Sequence, residues 1–468
     1  MSQLAIDDAT IDRLRSGVGG EIVTPEDPTY EEARRVWNGM IDRHPALIVR
    51  CSTAHDVATA LAFARENDLA VSVRGGAHST PGYSTCDGGI VIDLGAMNKV
   101  EVDPEARTAR VQGGARWADV DGAGQEHGLA VTGGRISTTG VGGLTLGSGS
   151  GWLERSYGVT CESLRAAEVV TADGRIVRAA EDENADLLWA LRGGGGNFGV
   201  VTEFVFDLHP VGPIVMGGML AFPRPQAREV IRAYRDFMAQ APDQVCGGLA
   251  LITTPPEDFV PEEARGKPAV GIVFAYVGPP EEGEAALRPL RDSLPAPVLD
   301  MVQPMPYVAV QQMMDAGNPF GIREYFKIDW LHSLPDEAID VIVEQAEDMP
   351  APFAEVILAP MGGAVGRTDP GARALNVPDA QWAYFCLTMW MDPAENDRNI
   401  AWTRKFAEVM QPFGIGTAAF PNFIEAGESD SRLRRSYGDA NYARLVEVKS
   451  KWDPDNLFRL NQNIAPAA

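Results

Sequence analysis

VSVRGGAHSTPGY, residues 71–83, joins a short apolar run to a turn that contains paired glycines and a histidine. The apolar run predicts a strand, and a glycine turn after a strand exposes backbone N–H groups that can cradle phosphate. His78 places a nucleophilic ring nitrogen beside this potential anion site. A glycine turn with a histidine is more often structural when it stands alone, so its meaning depends on the rest of the chain.

The segments that flank this turn predict a strand–helix–strand unit. Residues 46–50 (ALIVR) and 69–76 (LAVSVRGG) are short and β-branched, and residues 53–67 between them carry apolar side chains at helical spacing. Ser52 or Thr53 can cap this helix. The unit indicates an α/β arrangement in the first part of the chain.

The sequence beyond residue 213 has a different character. Long helical patterns, such as residues 224–240, alternate with strand patterns, such as residues 269–277 and 382–391. This alternation predicts an antiparallel sheet covered by helices, so the whole chain is predicted to be an α+β protein. Residues 209–213 (HPVGP) are predicted to link the two parts.

Two glycine-rich blocks lie between the histidine turn and this linker. Residues 132–164 (TGGRISTTGVGGLTLGSGSGWLERSYGVTCESL) intersperse their glycines with apolar residues such as Leu144 and Trp152, which argues against a flexible linker. Such a block makes sense where the backbone must closely approach a large planar or phosphorylated ligand. In residues 187–204 (LLWALRGGGGNFGVVTEF) the glycines follow a helix pattern and precede a strand, the reverse of the dinucleotide fingerprint.

In order and spacing, these blocks resemble the FAD domain of the vanillyl-alcohol-oxidase (PCMH-type) flavoproteins, specifically compact bacterial members of the berberine-bridge-enzyme-like branch. The resemblance covers residues 46–208 and resumes at 436–464. It implies a two-subdomain FAD-binding domain over residues 1–212 and a substrate-binding domain over residues 213–420. Residues 421–468 are then expected to return to the FAD domain.

The resemblance also implies how FAD would be held. The imidazole of His78 is expected to bond to the 8-methyl carbon of the flavin, and because Ile136 stands where many relatives have a second attachment cysteine, we expect a single link. The other residues expected along the cofactor follow. Those at the pyrophosphate are Arg74, Gly75, Gly76, Ala77 and Ser79. Those along the flavin and phosphates are Thr138, Gly140, Gly142, Gly143 and Gly147. Those near the adenosine or ribose are Glu162 and Val201, and those at the isoalloxazine are Asn461 and Asn463.

The implied reaction is hydride abstraction from a carbon that bears an alcohol or an amine in a small molecule, with dioxygen reoxidising the flavin to give hydrogen peroxide. Many relatives carry a tyrosine in a Tyr-x-Asn pattern, but the matching residues here begin with Phe420, which cannot accept a proton. Other polar residues on predicted strands of the substrate domain are therefore the candidate bases and pocket residues: Glu355, Lys327, Tyr325 and Tyr384. The ordinary alternative is that Glu355 and Lys327 are solvated or pair with each other, and that the tyrosines are common sheet aromatics.

Three rival interpretations stay open at this point. The first is a dehydrogenase that uses the same cofactor with a different electron acceptor. The second is a biosynthetic oxidase that cyclises or desaturates a natural product. The third is a flavin-binding protein without turnover, in which Phe420 marks lost catalysis.

The composition of the chain limits the classes of binding partner and the cellular compartment that we expect. The 468 residues carry a net charge of −25, which disfavours binding to nucleic acid or to an anionic membrane. The five cysteines form no CxxC pair, so neither a zinc site nor a disulfide framework is expected. The chain shows no signal-peptide pattern and no apolar run long enough to span a membrane, which predicts a cytoplasmic protein. The substrate and the oligomeric state are left open.

Overall fold

The computed structural model describes residues 6–377, 379–416, 420–425, 428 and 430–467. Within these residues the α-helices, in chain order, are α1 (Asp8–Gly17), α2 (Tyr30–Ala33), α3 (Ala54–Glu66), α4 (Trp117–Gln125), α5 (Val141–Leu146), α6 (Glu154–Tyr157), α7 (Ala185–Leu191), α8 (Ala227–Met238), α9 (Pro280–Ser293), α10 (Tyr307–Gln311), α11 (Asp336–Ala346), α12 (Ala364–Arg367), α13 (Asn396–Met410), α14 (Asp430–Tyr437) and α15 (Asp439–Trp452).

The strands of the same residues form four sheets. In chain order they are β1 (Glu21–Val23), β2 (Leu47–Arg50), β3 (Val71–Arg74), β4 (Ile90–Asp93), β5 (Val100–Asp103), β6 (Thr108–Gln112), β7 (Leu129–Ala130), β8 (Leu164–Val170), β9 (Ile176–Ala180), β10 (Val200–Asp207), β11 (His209–Pro210), β12 (Ile214–Pro223), β13 (Val245–Thr253), β14 (Pro268–Tyr276), β15 (Leu299–Asp300), β16 (Gln303–Pro306), β17 (Arg323–Leu331), β18 (Glu355–Pro360) and β19 (Trp382–Trp390).

The first sheet contains the predicted strand–helix–strand unit. Its strand order is β1-β2-β4-β3, with β4 parallel to both β2 and β3. Thr53 caps α3 by accepting a hydrogen bond from the backbone N–H of Asp56, whose carboxylate accepts one from Thr53 N–H in return. The apolar face of α3, including Val57 and Leu61, is buried against this sheet. This packing fixes the position of the C-terminal end of β3, where the histidine turn begins.

A second, antiparallel sheet of five strands lies next along the chain. Its order is β5-β6-β10-β8-β9, and β10 is its central strand. Side chains of α4, α7 and α15 share one hydrophobic core with this sheet, including Trp117, Phe204 and Leu445. The glycine-rich segments at 140–147 and 193–199 connect these elements. Both glycine-rich segments therefore pack against this hydrophobic core.

The third large layer is an antiparallel sheet of eight strands. Its order is β15-β12-β14-β13-β18-β19-β17, with β16 paired to β12. Helices α8, α9, α11 and α13 supply the apolar side chains that cover one face of this sheet. The predicted α+β fold, with an antiparallel sheet covered by helices, is confirmed. The predicted linker at 209–213 is only partly irregular, because β11 pairs with β7 there.

The C-terminal residues pack against the glycine-rich segment at 193–199. The buried ammonium of Lys449 donates hydrogen bonds to the carbonyls of Asn197 and Phe458, each at 2.9 Å, and pairs with the buried carboxylate of Asp453 at 2.7 Å. Asn197 also accepts a hydrogen bond from the backbone N–H of Ile464. This network ties the end of the chain to the first part of the fold. The domain boundaries predicted after residues 212 and 420 stay predictions.

We expect Lys449→Met to lower the free energy of unfolding by about 3 kcal/mol, because it leaves the buried carboxylate of Asp453 without its cation. Lys451→Met is the matched control: Lys451 lies two residues away and pairs with Asp186 at the surface, where one ion pair contributes little. Urea denaturation of the two variants measures both effects. Equal losses of stability in the two variants would contradict the assignment of Lys449 as the anchor.

Candidate active site

A cavity of about 1130 Å³ lies between the glycine-rich segments and the uncovered face of the eight-stranded sheet. One wall is formed by lining residues from the segments 75–79, 139–147 and 195–201, many of which are glycines. The opposite wall consists of side chains from β13, β14, β17, β18 and β19. The cavity therefore joins a backbone-lined half, suited to a ligand that the main chain approaches closely, to a half lined by sheet side chains.

The histidine turn projects into this cavity from the end of β3. Ala77 adopts a left-handed backbone conformation with φ 60° and is buried, which turns the chain sharply before His78. The carbonyl of Ala77 accepts a hydrogen bond from the backbone N–H of Trp37, and the indole of Trp37 stacks on the imidazole with ring centroids 5.0 Å apart. The ring is thus held on one face while it lines the cavity.

The imidazole of His78 is neutral at physiological pH. Burial, followed by the positive charge of Arg116, lowers the pKa of His78 to about 3. Its Nε2 atom lies 2.9 Å from the hydroxyl oxygen of Thr138, at hydrogen-bonding distance. A neutral ring with one nitrogen engaged keeps a lone pair available on a ring nitrogen, as a nucleophile requires.

The backbone-lined half fits a large phosphorylated cofactor. A Cβ added to Gly76 would lie 2.2 Å from the backbone nitrogen of Gly140, so the two loops meet only because both residues are glycine. At Gly143 and Gly196 an added Cβ would meet no atom within 4 Å, because both glycines face open space. The carboxylates among the described lining residues, Glu257, Glu324 and Glu355, all come from β13 onward, so none lies on the glycine segments. An anionic pyrophosphate is compatible with this half.

Most of the residues expected along the cofactor line the cavity: Gly75, Gly76, Ala77, His78, Ser79, Gly140, Gly142, Gly143, Gly147, Val201 and Asn461. Thr138 reaches it only through its contact with His78. The side-chain amide of Asn461 donates hydrogen bonds to the carbonyls of Gly196 and Phe458, each at 3.0 Å. Asn463 does not line the cavity. The roles of the lining residues toward a cofactor stay predictions.

Arg74 and Glu162 do not lie where the sequence analysis expected them, along the cofactor. The Arg74 guanidinium turns inward, donates to the carbonyls of Ala33 and Ser84, and pairs with Asp93 at 3.6 Å, so it does not line the cavity. Glu162 also lies outside the cavity lining: its carboxylate pairs with Arg373. Both charges serve the packing of loops. A strand-end arginine and a loop glutamate do not reveal such partners in the sequence.

The candidate bases are separated by the alternation of side chains along the strands. Glu355 faces the cavity from the start of β18, together with Ile357. Tyr325 and Lys327 alternate with the cavity-lining residue Phe326 and therefore point to the other face of the sheet. Of the candidate bases, only Glu355 has access to a substrate in the cavity.

The three excluded candidates have structural partners instead. The hydroxyl of Tyr325 accepts a hydrogen bond from Arg404, and the ammonium of Lys327 pairs with Glu428 rather than with Glu355. Tyr384 lies in the helix-covered core against Phe406. Their expected role as bases is corrected, because the pleat of the sheet turns them away from the cavity.

Glu324 is the acidic residue that the sequence analysis missed. It lines the cavity two residues before Phe326, and its carboxylate accepts a hydrogen bond from the hydroxyl of Thr80 at 3.2 Å. Glu324 pairs in register with Met389 and Glu355 with Leu387, so the two carboxylates lie on the strands that flank β19. Alternation counted from Phe326 would have selected Glu324 over Tyr325 and Lys327.

The two carboxyl groups hold their protons more tightly than ordinary glutamates. Burial raises the pKa of Glu355 to about 7. Burial, followed by the negative charge of Glu425, raises the pKa of Glu324 to about 8, with a smaller contribution from the charge of Glu355. The side-chain half of the cavity thus carries acidic groups that exchange protons near neutral pH, as general acids and bases do.

The segment that matches the Tyr-x-Asn pattern is split between core and cavity. Phe420 is fully buried against Trp330 and Phe423 and does not line the cavity. Asn422 does line it, and its amide donates a hydrogen bond to the carbonyl of Gly143 at 2.9 Å. The asparagine therefore contacts the glycine-rich loop, while the phenylalanine packs in the core.

Three further features of the described residues concern the cysteines, possible metal sites and membrane-spanning helices. All five cysteines are buried and carry free thiols. In the part of the chain that the structure describes, no cluster of three or more acidic, cysteine or histidine side chains could hold a metal ion. Every helix among these residues is too short or too polar to cross a lipid bilayer.

Comparison with known proteins gives two family matches. Residues 45–180 match the FAD binding domain model, and residues 419–465 match the model named berberine and berberine like. The uncharacterized FAD-linked oxidoreductase YgaK of Bacillus subtilis (strain 168) is 31% identical over 455 residues, which cover 96% of this chain and 97% of that protein. The resemblance found in the glycine-rich blocks is confirmed.

Two further matches are proteins named as oxidases of 6-hydroxynicotine. The (R)-6-hydroxynicotine oxidase of Paenarthrobacter nicotinovorans is 29% identical over 460 residues, covering 96% of this chain and 97% of that protein. A crystal structure of 6-hydroxy-D-nicotine oxidase from Arthrobacter nicotinovorans superposes with a TM-score of 0.85 at 26% identity, covering 96% of this chain and 98% of that one. The likeness extends over nearly the whole chain.

We expect the free energy of unfolding to fall as pH rises from about 6.5, above the ordinary pKa of histidine, to about 8. In this window the folded protein keeps protons on Glu324 and Glu355, whereas the unfolded chain releases them near the ordinary value of 4.5. The folded state then binds more protons, so each group contributes a slope of up to about 1.4 kcal/mol per pH unit. Glu324→Gln should flatten this fall, as measured by urea denaturation at several pH values.

Glu284→Gln is the control for that measurement, because Glu284 is exposed on α9 and leaves the pH profile unchanged. A Glu324→Gln variant whose unfolding free energy keeps the pH dependence of the parent protein would contradict the raised pKa of Glu324.

Proposed function

This chain belongs to the berberine-bridge-enzyme-like family of FAD-linked oxidoreductases, and from that premise we propose its chemistry. The protein carries FAD on a single covalent bond from His78. It removes a hydride from a carbon next to the amine or alcohol of a small molecule, and dioxygen accepts the electrons to give hydrogen peroxide. The observation that carries the proposal is the cavity that joins the His78 turn to the carboxyl groups of Glu324 and Glu355.

The residues of the backbone-lined half would hold the cofactor. The loops that meet at Gly76 and Gly140 would enclose the pyrophosphate, and Asn461 would contribute from the C-terminal segment. The bound flavin would supply the site for hydride and electrons, chemistry that no side chain provides. His78 supports the covalent link because its imidazole is neutral and lines the same cavity.

The side-chain half would handle the proton of the substrate. With its pKa at about 7, Glu355 accepts a proton from an alcohol or ammonium group and passes it on near neutral pH. Glu324 has the same property at a pKa of about 8, so this half holds a second carboxyl group that exchanges protons near neutral pH. Both carboxyl groups face the cavity among apolar side chains such as Phe326.

The charge of this half favours an amine over an alcohol. Among the described residues that line the cavity, Arg135 has the one permanently positive side chain, and it is engaged by Glu154 at 2.9 Å and by Ser150. In the described part of this wall, no free cation opposes an ammonium group, whose charge would lower the pKa of Glu355 and allow the two groups to pair. The relative named for oxidation of 6-hydroxynicotine, an amine, supports the same choice.

The first expected result concerns the covalent bond. Acid precipitation of the purified protein should leave the yellow flavin in the pellet, and mass spectrometry should find one FAD on the peptide that contains His78. His78→Ala should release all flavin into the supernatant, because it removes the nucleophilic nitrogen. His127→Ala, at an exposed position, serves as the control and keeps the flavin bound. A colourless wild-type pellet with free FAD in the supernatant would remove the covalent link from the proposal.

The second expected result concerns the substrate and its proton. In an anaerobic panel of amines and of alcohols with the same carbon skeletons, an amine should bleach the flavin fastest. Glu355→Gln should slow this reduction by about 10²-fold or more, since the loss of a general base typically costs 10²–10⁴ in rate. Glu257→Gln, an exposed carboxylate at the cavity lining, is the matched control and keeps the rate.

The same panel separates the rival interpretations. Return of the yellow colour and formation of hydrogen peroxide on admission of air identify an oxidase, whereas persistent bleaching until an artificial acceptor is added identifies a dehydrogenase. A cyclised or desaturated product identifies a biosynthetic oxidase. Flavin that no amine or alcohol reduces, in a protein whose flavin is still reduced by dithionite, would overturn the proposed turnover.

A further inference from the structure

A segment of the large-sheet half reaches across the cavity to the glycine-rich loop. Residues 313–318 precede β17, and most of them line the cavity. The carboxylate of Asp315 accepts two hydrogen bonds from Ser137, from its backbone N–H at 2.8 Å and from its hydroxyl at 2.6 Å. Ser137 is buried, so this bidentate contact is shielded from water and strengthened by the charge of the acceptor.

Ser137 belongs to a tight loop that is held on its other side as well. The carbonyl of Ser137 accepts a hydrogen bond from the backbone N–H of Ala118 at 2.9 Å, and the carbonyl of Thr139 accepts one from Trp117 at 3.0 Å. Both donors lie in the first turn of α4. Residues 137–139 are therefore fixed between α4 and Asp315, and their position depends on both.

The residue between these fixed points contacts the histidine. The hydroxyl oxygen of Thr138 lies 2.9 Å from Nε2 of His78. The stacked indole of Trp37 restrains the ring plane, so the contact with Thr138 decides the rotation of the ring within that plane. Among the described residues, no hydrogen bond reaches Nδ1 of His78, which leaves that nitrogen for attack when Nε2 keeps its proton toward Thr138.

We propose that Asp315 is a positioning residue for covalent flavin attachment, acting through Ser137 and Thr138 on the orientation and protonation of His78. The inference rests on the covalent link of the proposed function and goes beyond it. It makes attachment depend on the docking of the 313–318 segment, so that flavin is bonded only in a chain whose two halves have assembled.

The attachment step is balanced with the acceptor already named. One C–H bond of the flavin 8-methyl group and the N–H bond of the imidazole are lost, and one C–N bond forms between the two groups. The two electrons and two protons released pass by way of the flavin to dioxygen, which becomes hydrogen peroxide. Asp315 takes no part in this transfer and contacts none of the reacting atoms, which is why its effect is one of position.

A neighbouring contact offers a control for simple docking. The side-chain amide of Gln311 donates a hydrogen bond at 3.0 Å to the buried carboxyl group of Asp121, on α4. Gln311 lies four residues before Asp315 and joins the same two parts of the chain. In the described part of the chain, no hydrogen bond joins Gln311 or Asp121 to the loop at 137–139.

The test measures the rate of attachment directly. Full-length variants are expressed under riboflavin limitation, mixed with FAD, and quenched in acid at increasing times, and the acid-stable flavin is quantified. We expect Asp315→Ala and Thr138→Val to slow attachment by about 10- to 100-fold, because small misplacements of a reacting group cost this much. Reversible FAD binding before the quench should stay within a few-fold of wild type. Gln311→Ala should attach flavin at the wild-type rate, and Thr138→Ser, which keeps the hydroxyl, should attach it faster than Thr138→Val.

Each other outcome has a definite meaning. Wild-type attachment in Asp315→Ala overturns the inference and leaves the proposed function intact. Equal slowing in Gln311→Ala also overturns it, because general docking would then explain the effect. Asp315→Asn, which retains the size of the side chain, replaces the alanine variant if that variant does not fold. A wild-type protein without acid-stable flavin overturns the inference together with the covalent part of the proposed function, while the substrate panel still tests the rest.

Discussion

The close approach of two backbone segments at Gly76 and Gly140 is the constraint on which the rest of the site depends. A Cβ on either residue would lie within 2.2 Å of the other's backbone nitrogen, so any other residue would push the loops apart. This contact holds the histidine turn against residues 136–143 and brings the Thr138 hydroxyl to His78. The parallel strands β3 and β4 support the turn from below, and the core around Phe204 supports the loop.

The cavity has two halves with different chemistry because two kinds of structure form its walls. Glycine-rich loops offer bare backbone, whose N–H groups suit an anionic cofactor. The eight-stranded sheet offers side chains at alternate positions, and these include Glu324 and Glu355 among apolar neighbours. Burial without a cationic partner is what raises the pKa of Glu355. A polar group placed on the other face, such as Lys327, finds a partner and takes no part in the site.

Several contacts join the two parts of the fold that form these walls. Buried Arg155 donates hydrogen bonds to the carbonyls of Val245 and Met361, Arg373 pairs with Glu162, and Asp315 binds the loop at Ser137. These contacts join residues that are far apart in the chain, so no local sequence pattern pairs them. Glu162 is the clearest case: its family-matched position suggested the adenosine side of the cofactor, whereas its carboxylate serves the joint between the two parts of the fold.

The sequence by itself determined the α+β class, the capped helix α3 between two strands, the family and its cofactor, because glycine spacing and apolar periodicity are local properties that survive without a partner. It also selected His78 and most of the lining glycines, since each belongs to a contiguous motif. Only the tertiary structure decided which strand residues face the cavity. Glu324 faces the cavity, whereas Tyr325 and Lys327 face the other side of the sheet, and a one-residue shift along β17 would reverse this. Packing against helices distant in sequence sets that position. The same holds for Arg74, whose partners are brought to it only by the folded chain.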